Sequence, residues 1–305
     1  MNGLTLLQKA STLAIDSADL KAIEAFSHLI PHVTTNPTLV SLSASDPSMQ
    51  PLLKKAMEAA KQDLDLALDY VLVYLAQKIL STISGEVSLE IDPRDSFNKE
   101  LTLKKALRLA DLLEKHGISR DRFLLKIAGT WEGIEAAKEL EKLGIRCNIT
   151  IILSLEQAIA AHAANVTMIA CYVARVKDWY VKHEHTYNDH PGITLAKRIF
   201  ATLAHIGSKT KVMAASFRNS EELFALAHGP ILIISPRLLQ ILQNEQSLVI
   251  SPSYKENILE VTSSISEESF RKSLKNNDMA TDKLHEAIEL FCDDVKKLEA
   301  LLLKC

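Results

Sequence analysis

Eight short apolar or β-branched runs punctuate the chain, at residues 12–15, 32–35, 87–91, 123–128, 146–153, 166–173, 211–217 and 230–235. Most are apolar nearly throughout instead of alternating, the pattern of strands buried on both faces. Between them lie segments of helical periodicity, among them 101–116, 131–143 and 155–164. Thr130 precedes one of these as an N-cap, and Gly117 and Gly144 fall just past helix ends. Eight strands alternating with helices predict parallel pairing and an α/β fold, the (β/α)8 TIM barrel. A doubly wound open sheet is the second reading, but no Gly-x-Gly-x-x-Gly stretch supports a dinucleotide site. Residues 46–84 have room for two helices. After Ser235 the pattern is mostly helical, and 282–303 predicts a long amphipathic C-terminal helix. No Pro/Gly-rich linker interrupts the chain, so residues 1–305 read as one domain.

One residue breaks the apolar pattern of its strand. Lys126 lies inside Phe123-Leu124-Leu125-Lys126-Ile127-Ala128, and lysine is almost never fully buried without a reason. Burial disfavours the ammonium and lowers its pKa, which would leave a neutral amine able to attack a ketone. A lysine paired with a buried carboxylate for structural reasons fits this strand equally well.

In a barrel of this kind, chemistry gathers at the C-terminal ends of the strands. The predicted strand ends carry Asp16, Asn36, Glu90 with Asp92, Lys126, Asn148 with Thr150, Arg175, and Ser216 with Arg218. Glu90/Asp92 and Asn148/Thr150 are each spaced by two, which predicts that each pair faces one side. Each residue also has a plain structural reading. Asp16 or Asp19 can cap the first helix after the strand, and Thr35-Asn36-Pro37 can be a turn. Glu90 can pair with Arg94, and Arg218 can be solvated. His183, His185, Asp189 and His190 share a polar loop but match no compact metal-ligand spacing, so no metal site is expected there. Trp131, at a helix start, reads as a packing residue.

Composition narrows the class. Hydrophobic residues make up 47% and charged residues 24%, ordinary for a soluble globular protein. A net charge of -3 gives no global attraction to nucleic acid or to an anionic membrane, so any anion site must be local. Cys147, Cys171, Cys292 and Cys305 have no paired or metal-type spacing. The first ten residues lack a basic stretch followed by a long apolar core, and no run reaches the length of a membrane span. A cytoplasmic enzyme is the expectation.

Several motifs together resemble the transaldolase family: Asp16-Ser17-Ala18-Asp19, Thr34-Thr35-Asn36-Pro37, Glu90-Ile91-Asp92-Pro93-Arg94, Leu125-Lys126-Ile127-Ala128-Gly129-Thr130-Trp131-Glu132-Gly133, Cys147-Asn148-Ile149-Thr150, Ala215-Ser216-Phe217-Arg218-Asn219 and Asp278-Met279-Ala280. The resemblance spans essentially the whole chain. It implies a (β/α)8 barrel in which Lys126 forms a Schiff base with the C2 carbonyl of a ketose phosphate. Asp16 would take the C4 hydroxyl proton, and Glu90 and Thr150 would hold the water that shuttles protons. Asn36 and Asn148 would bind hydroxyls of the three-carbon unit, while Arg175, Arg218 and Ser216 would hold phosphate. The implied reaction moves a dihydroxyacetone unit between sedoheptulose 7-phosphate plus glyceraldehyde 3-phosphate and fructose 6-phosphate plus erythrose 4-phosphate. It needs no metal or organic cofactor, and the resemblance suggests a homodimer.

The chain departs from the family pattern at its sixth strand. Ser-Pro-Phe-Val-Gly-Arg is usual there, and this chain has Ala170-Cys171-Tyr172-Val173-Ala174-Arg175. Ala170 lacks a hydroxyl for the dihydroxyacetone unit, and Tyr172 adds one where phenylalanine is usual, as the related fructose 6-phosphate aldolases do. Ala214 replaces a usual glycine and is expected to narrow the phosphate end. Two further readings stand beside transfer: cleavage that releases free dihydroxyacetone, and a non-catalytic barrel that binds sugar phosphates.

Overall fold

A computed structural model describes residues 2–245 and 262–305. Eight parallel strands close into a barrel in sequence order. They are β1 (Leu13–Asp16), β2 (His32–Thr34), β3 (Val87–Glu90), β4 (Phe123–Ala128), β5 (Cys147–Ile152), β6 (Met168–Tyr172), β7 (Lys211–Ala215) and β8 (Ile231–Ile234). Each falls within or one residue beyond a run seen in the sequence. The helices are α1 (Gly3–Ala10), α2 (Leu20–Phe26), α3 (Pro37–Ala44), α4 (Gln50–Ala59), α5 (Leu64–Thr82), α6 (Lys99–Lys115), α7 (Trp131–Lys142), α8 (Leu155–Ala163), α9 (Ala174–Lys182), α10 (Pro191–His205), α11 (Ser220–Phe224), α12 (Pro236–Asn244), α13 (Glu267–Lys275) and α14 (Asp278–Leu302). The expected pair of helices in 46–84 is α4 and α5. The C-terminal helix begins four residues earlier than its pattern suggested. The helical reading of residues 246–261 lies outside the described residues.

The strand ends are set by local chemistry. β2 stops at Thr34 because Asn36 caps α3: its Oδ1 accepts the Leu39 N–H at 3.0 Å, with Pro37 in the first turn. The Thr35-Asn36-Pro37 segment is therefore a helix start. Asp19, and not Asp16, caps α2, accepting from the Lys21 and Ala22 N–H groups, which leaves the Asp16 carboxylate free of that task. Thr130 caps α7 through the Gly133 N–H at 2.9 Å, and Gly117 and Gly144 take positive φ past helix ends. Trp131 packs on Phe270, ring centroids 5.3 Å apart. Cys147 and Cys171 are buried free thiols.

Two apolar layers result. The outer faces of the strands pack on the surrounding helices. The barrel interior holds Ala14, Leu124, Met168, Ala170, Met213 and Ile233, and Ala280, Leu284, Ala287, Ile288 and Phe291 of α14 join the same apolar layer. β5 carries a register slip between Ile149 and Ile152, with Ile151 at φ 59°. Beyond the slip Ile151 and Leu153 join the interior layer, so the bulge ends the inward alternation that Asn148 and Thr150 begin.

Gly133 marks a close helix–barrel approach near the mouth. A Cβ there would collide with the Ala128 carbonyl oxygen and lie 3.0 Å from Thr130 Oγ1. Gly133→Ala should therefore lower stability by about 1–3 kcal/mol, the usual cost of overpacking. A urea midpoint equal to that of the parent protein would contradict this close approach.

Candidate active site

β3, β4 and β5 are in register so that Glu90 pairs with Lys126 and Lys126 with Asn148. Strand alternation turns all three inward. Lys126 Nζ lies 2.9 Å from Glu90 Oε2, and both side chains are almost wholly buried. The ammonium also donates to the Thr35 carbonyl at 2.9 Å. The possible Glu90–Arg94 pair does not form, because Arg94 turns outward to Asp92 and Glu299. Nor does Asp92 share a face with Glu90. The chain leaves β3 at Glu90, and Asp92 caps a 3-10 turn and binds Lys105 at 2.8 Å.

A cavity of about 280 Å³ opens above Lys126 at the C-terminal mouth of the barrel. Of the ten candidate residues, Asp16, Asn36, Lys126, Thr150, Tyr172, Arg175, Ser216 and Arg218 line it. Glu90 stands behind Lys126. Asn148 is fully buried: its Nδ2 faces Ser88 Oγ at 3.2 Å and Met213 Sδ at 3.6 Å, while its Oδ1 has no protein partner. The Thr150 hydroxyl lies 3.4 Å from that of Tyr172. The Arg175 guanidinium sits over the Tyr172 ring at 4.9 Å and near the Phe291 ring at 5.9 Å. Arg218 is 57% exposed and pairs with Asp178 at 2.7 Å. Ser216 holds φ 65° at the end of β7, a left-handed geometry that is uncommon for serine. Ala170 lines the cavity. Ala214 does not narrow it, because it belongs to the layer facing the helices.

A cavity of about 480 Å³ lies at the opposite end of the barrel, beside His32, Glu86 and Lys211. It is the larger of the two, but the convergent lysine, carboxylate and arginines belong to the C-terminal mouth, where barrels of this type carry their chemistry. Among the described residues no group of three or more His, Cys, Asp or Glu is arranged to hold a metal ion. His183 and His185 stack on Trp179, and His190 caps α10 beside Glu222.

Electrostatics revise one expectation. Burial is the largest influence on Lys126 and pulls its pKa down, but the charges of Glu90, Tyr172 and Asp16 together outweigh it, and the net shift is upward. The resting lysine is an ammonium for as long as its carboxylate partner is ionised. Burial also pushes Glu90 up, against the pull of Lys126. It pushes Asp16 up as well, against Lys126 and Arg175. The pair therefore titrates as a unit. A proton passed to a carboxylate removes one of the charges that oppose burial and frees the amine's lone pair.

Several cavity residues escaped the sequence reading. Thr34 lines the cavity with a buried, unpartnered hydroxyl, and the Thr35 carbonyl holds Lys126. Ser235 and Arg237 line it too. Strand parity could have found Thr34, but a backbone carbonyl carries no side-chain signature.

The raised Asp16 pKa has a signed consequence for stability. A raised folded-state value means that the contribution is present below the unfolded pKa and is lost as pH rises through the folded one. Asp16→Asn removes that loss. Relative to the parent, the urea midpoint of the variant should rise as pH climbs above the ordinary carboxylate value of about 4. A midpoint difference that is flat or falls with pH contradicts the assignment.

The Transaldolase/Fructose-6-phosphate aldolase family matches residues 13–302. The chain is 38% identical to a protein named transaldolase from Protochlamydia amoebophila (strain UWE25), over 99% of this chain and 97% of the relative. It is 40% identical to a transaldolase from Marinomonas sp. (strain MWYL1), over 99% and 98%. A probable transaldolase of Drosophila melanogaster is 39% identical over 99% and 95%.

Proposed function

The chain belongs to the transaldolase/fructose-6-phosphate aldolase family, and from that premise we propose that it transfers a dihydroxyacetone unit between ketose and aldose phosphates through a Schiff base on Lys126. The observation that carries this reading is Lys126 itself, buried on the cavity floor 2.9 Å from Glu90. Proton transfer to a carboxylate frees the amine to attack the C2 ketone, and water leaves as the imine forms. Asp16, on the cavity wall, takes the C4 hydroxyl proton while the C3–C4 bond breaks. The electron pair moves into the iminium, which leaves an enamine on Lys126 and an aldose phosphate free to depart. An incoming aldose phosphate reverses these steps. Glu90 and Thr150 hold the water that is exchanged in imine formation. Asn36 spends its Oδ1 on capping α3 and keeps its amide N–H groups for a substrate hydroxyl, while the unpartnered Oδ1 of Asn148 is an acceptor. Arg175, Arg218 and Ser216 receive the phosphate. A cytoplasmic homodimer is part of the same proposal, and no described helix is long and apolar enough to cross a membrane.

Lys126→Ala should abolish both turnover and the mass gained on borohydride reduction with fructose 6-phosphate. An adduct mapped to another lysine would falsify the assignment, and the absence of an adduct on the parent would favour a barrel that only binds.

A second activity is favoured by one contact. The Tyr172 hydroxyl stands 3.4 Å from that of Thr150, where a phenol can steady the water that protonates the enamine and hydrolyses the imine. On that basis the enzyme also releases free dihydroxyacetone. Tyr172→Phe should cut glyceraldehyde 3-phosphate release in the absence of acceptor by about a hundredfold relative to transfer. An unchanged ratio of cleavage to transfer rejects this role for the hydroxyl.

A further inference from the structure

Three consecutive strands end at Tyr172, Ala215 and Ile234, and Arg175, Arg218 and Arg237 each stand three residues beyond those ends. The same offset on β6, β7 and β8 raises three guanidiniums from one sector of the rim, and all three line the cavity. They differ in depth and in occupation. Arg175 is the inner one, half-buried between the Tyr172 and Phe291 rings, which hold its plane without using its donors. Arg218 is exposed and shares its charge with Asp178. Arg237 is exposed too. It donates from Nη2 to the Arg218 carbonyl at 3.3 Å and has no carboxylate within ion-pair distance among the described residues. It also sits in the first turn of α12, where the helix dipole disfavours a cation unless an anion is near.

From this arc we propose that Arg237 is a specificity-determining residue that grips the phosphate of the longer substrates. The inference rests on the Schiff-base transfer reading above. A covalent bond to Lys126 fixes C2 of the donor on the cavity floor. The phosphate then lies one carbon–carbon bond farther out in a seven-carbon ketose phosphate than in a six-carbon one. The same difference separates a four-carbon from a three-carbon aldose phosphate. A single guanidinium at one depth cannot fork both positions equally. Arg175 serves the nearer phosphate, and Arg237, beside Arg218 on the outer rim, serves the farther one.

The test compares the parent with Arg237→Ala and Arg237→Lys on sedoheptulose 7-phosphate and fructose 6-phosphate. Urea midpoints establish that each variant is folded. Arg237→Ala should lower kcat/KM for the seven-carbon donor by about tenfold, the loss of one charge-assisted hydrogen bond. The loss for the six-carbon donor should be clearly smaller, and the change should fall on KM more than on kcat. Arg237→Lys keeps the charge but not the fork and should recover part of the loss. Equal losses for both donors, no loss for either, or a change confined to kcat each overturn the proposal while leaving the transfer reading intact. A parent enzyme with no transfer activity overturns both.

Discussion

The Lys126–Glu90 ion pair is the constraint around which the barrel is arranged. An ammonium at this depth survives only with a counter-charge, and leaving either partner alone in the interior costs about 3–5 kcal/mol. The pairing of Glu90 with Lys126 across β3 and β4 supplies that counter-charge from the adjacent strand. The Thr35 carbonyl adds a second partner, and it is free to do so because the chain has already left β2 to enter α3. The register of three strands and the capping of one helix therefore converge on one nitrogen. The same pairing that makes the lysine tolerable raises its pKa against the pull of burial, so the proposed attack on a ketone requires a proton to move first, toward one of the two carboxylates that burial raises.

Charge in the cavity is layered. The floor sets the single cation Lys126 against two buried carboxyl groups, Glu90 and Asp16, whose pKa values burial raises. The rim is cationic, with Arg175, Arg218 and Arg237 opposed mainly by Asp178 on the outside. A chain of net charge -3 thus presents a local positive mouth, and a phosphate held there leaves the uncharged end of a sugar pointing at the lysine. The C-terminal helix supports this rim from behind. Asp282 of α14 accepts from the Trp179 indole at 2.8 Å, and Phe291 backs Arg175, so α14 braces the helix that carries the inner arginine.

The departures at β6 lie on the cavity wall, where the proposed second activity draws on them. Ala170 and Tyr172 both line the cavity, two residues apart on the inward face. The first withholds a hydroxyl from the substrate side and the second supplies one next to Thr150. The polar group at this wall thus stands one step nearer the mouth, beside the Thr150 hydroxyl, which is where the proposed second activity needs it.

The sequence alone determined the architecture and most of the candidate residues. Eight apolar runs alternating with amphipathic helices can bury both strand faces only in a helix-wrapped parallel sheet, and the strand-end polar residues follow from that. Tertiary structure decided what depends on the residue lying across the barrel. Asp16 and Asp19 are equivalent as caps until the backbone at β1 assigns the task to Asp19. Glu90 and Asp92 share a parity that ends where the strand ends, which sends one to Lys126 and the other to Lys105. The protonation of Lys126 could not be read from its own strand, because its apolar neighbours report the desolvation and the opposing carboxylates belong to other strands. Arg237 carried no local signal, since its place beside Arg218 exists only once β7 and β8 are adjacent. Periodicity encodes which face of an element is buried, whereas the charge state and partner of a buried group are properties of the neighbours that closure of the barrel supplies.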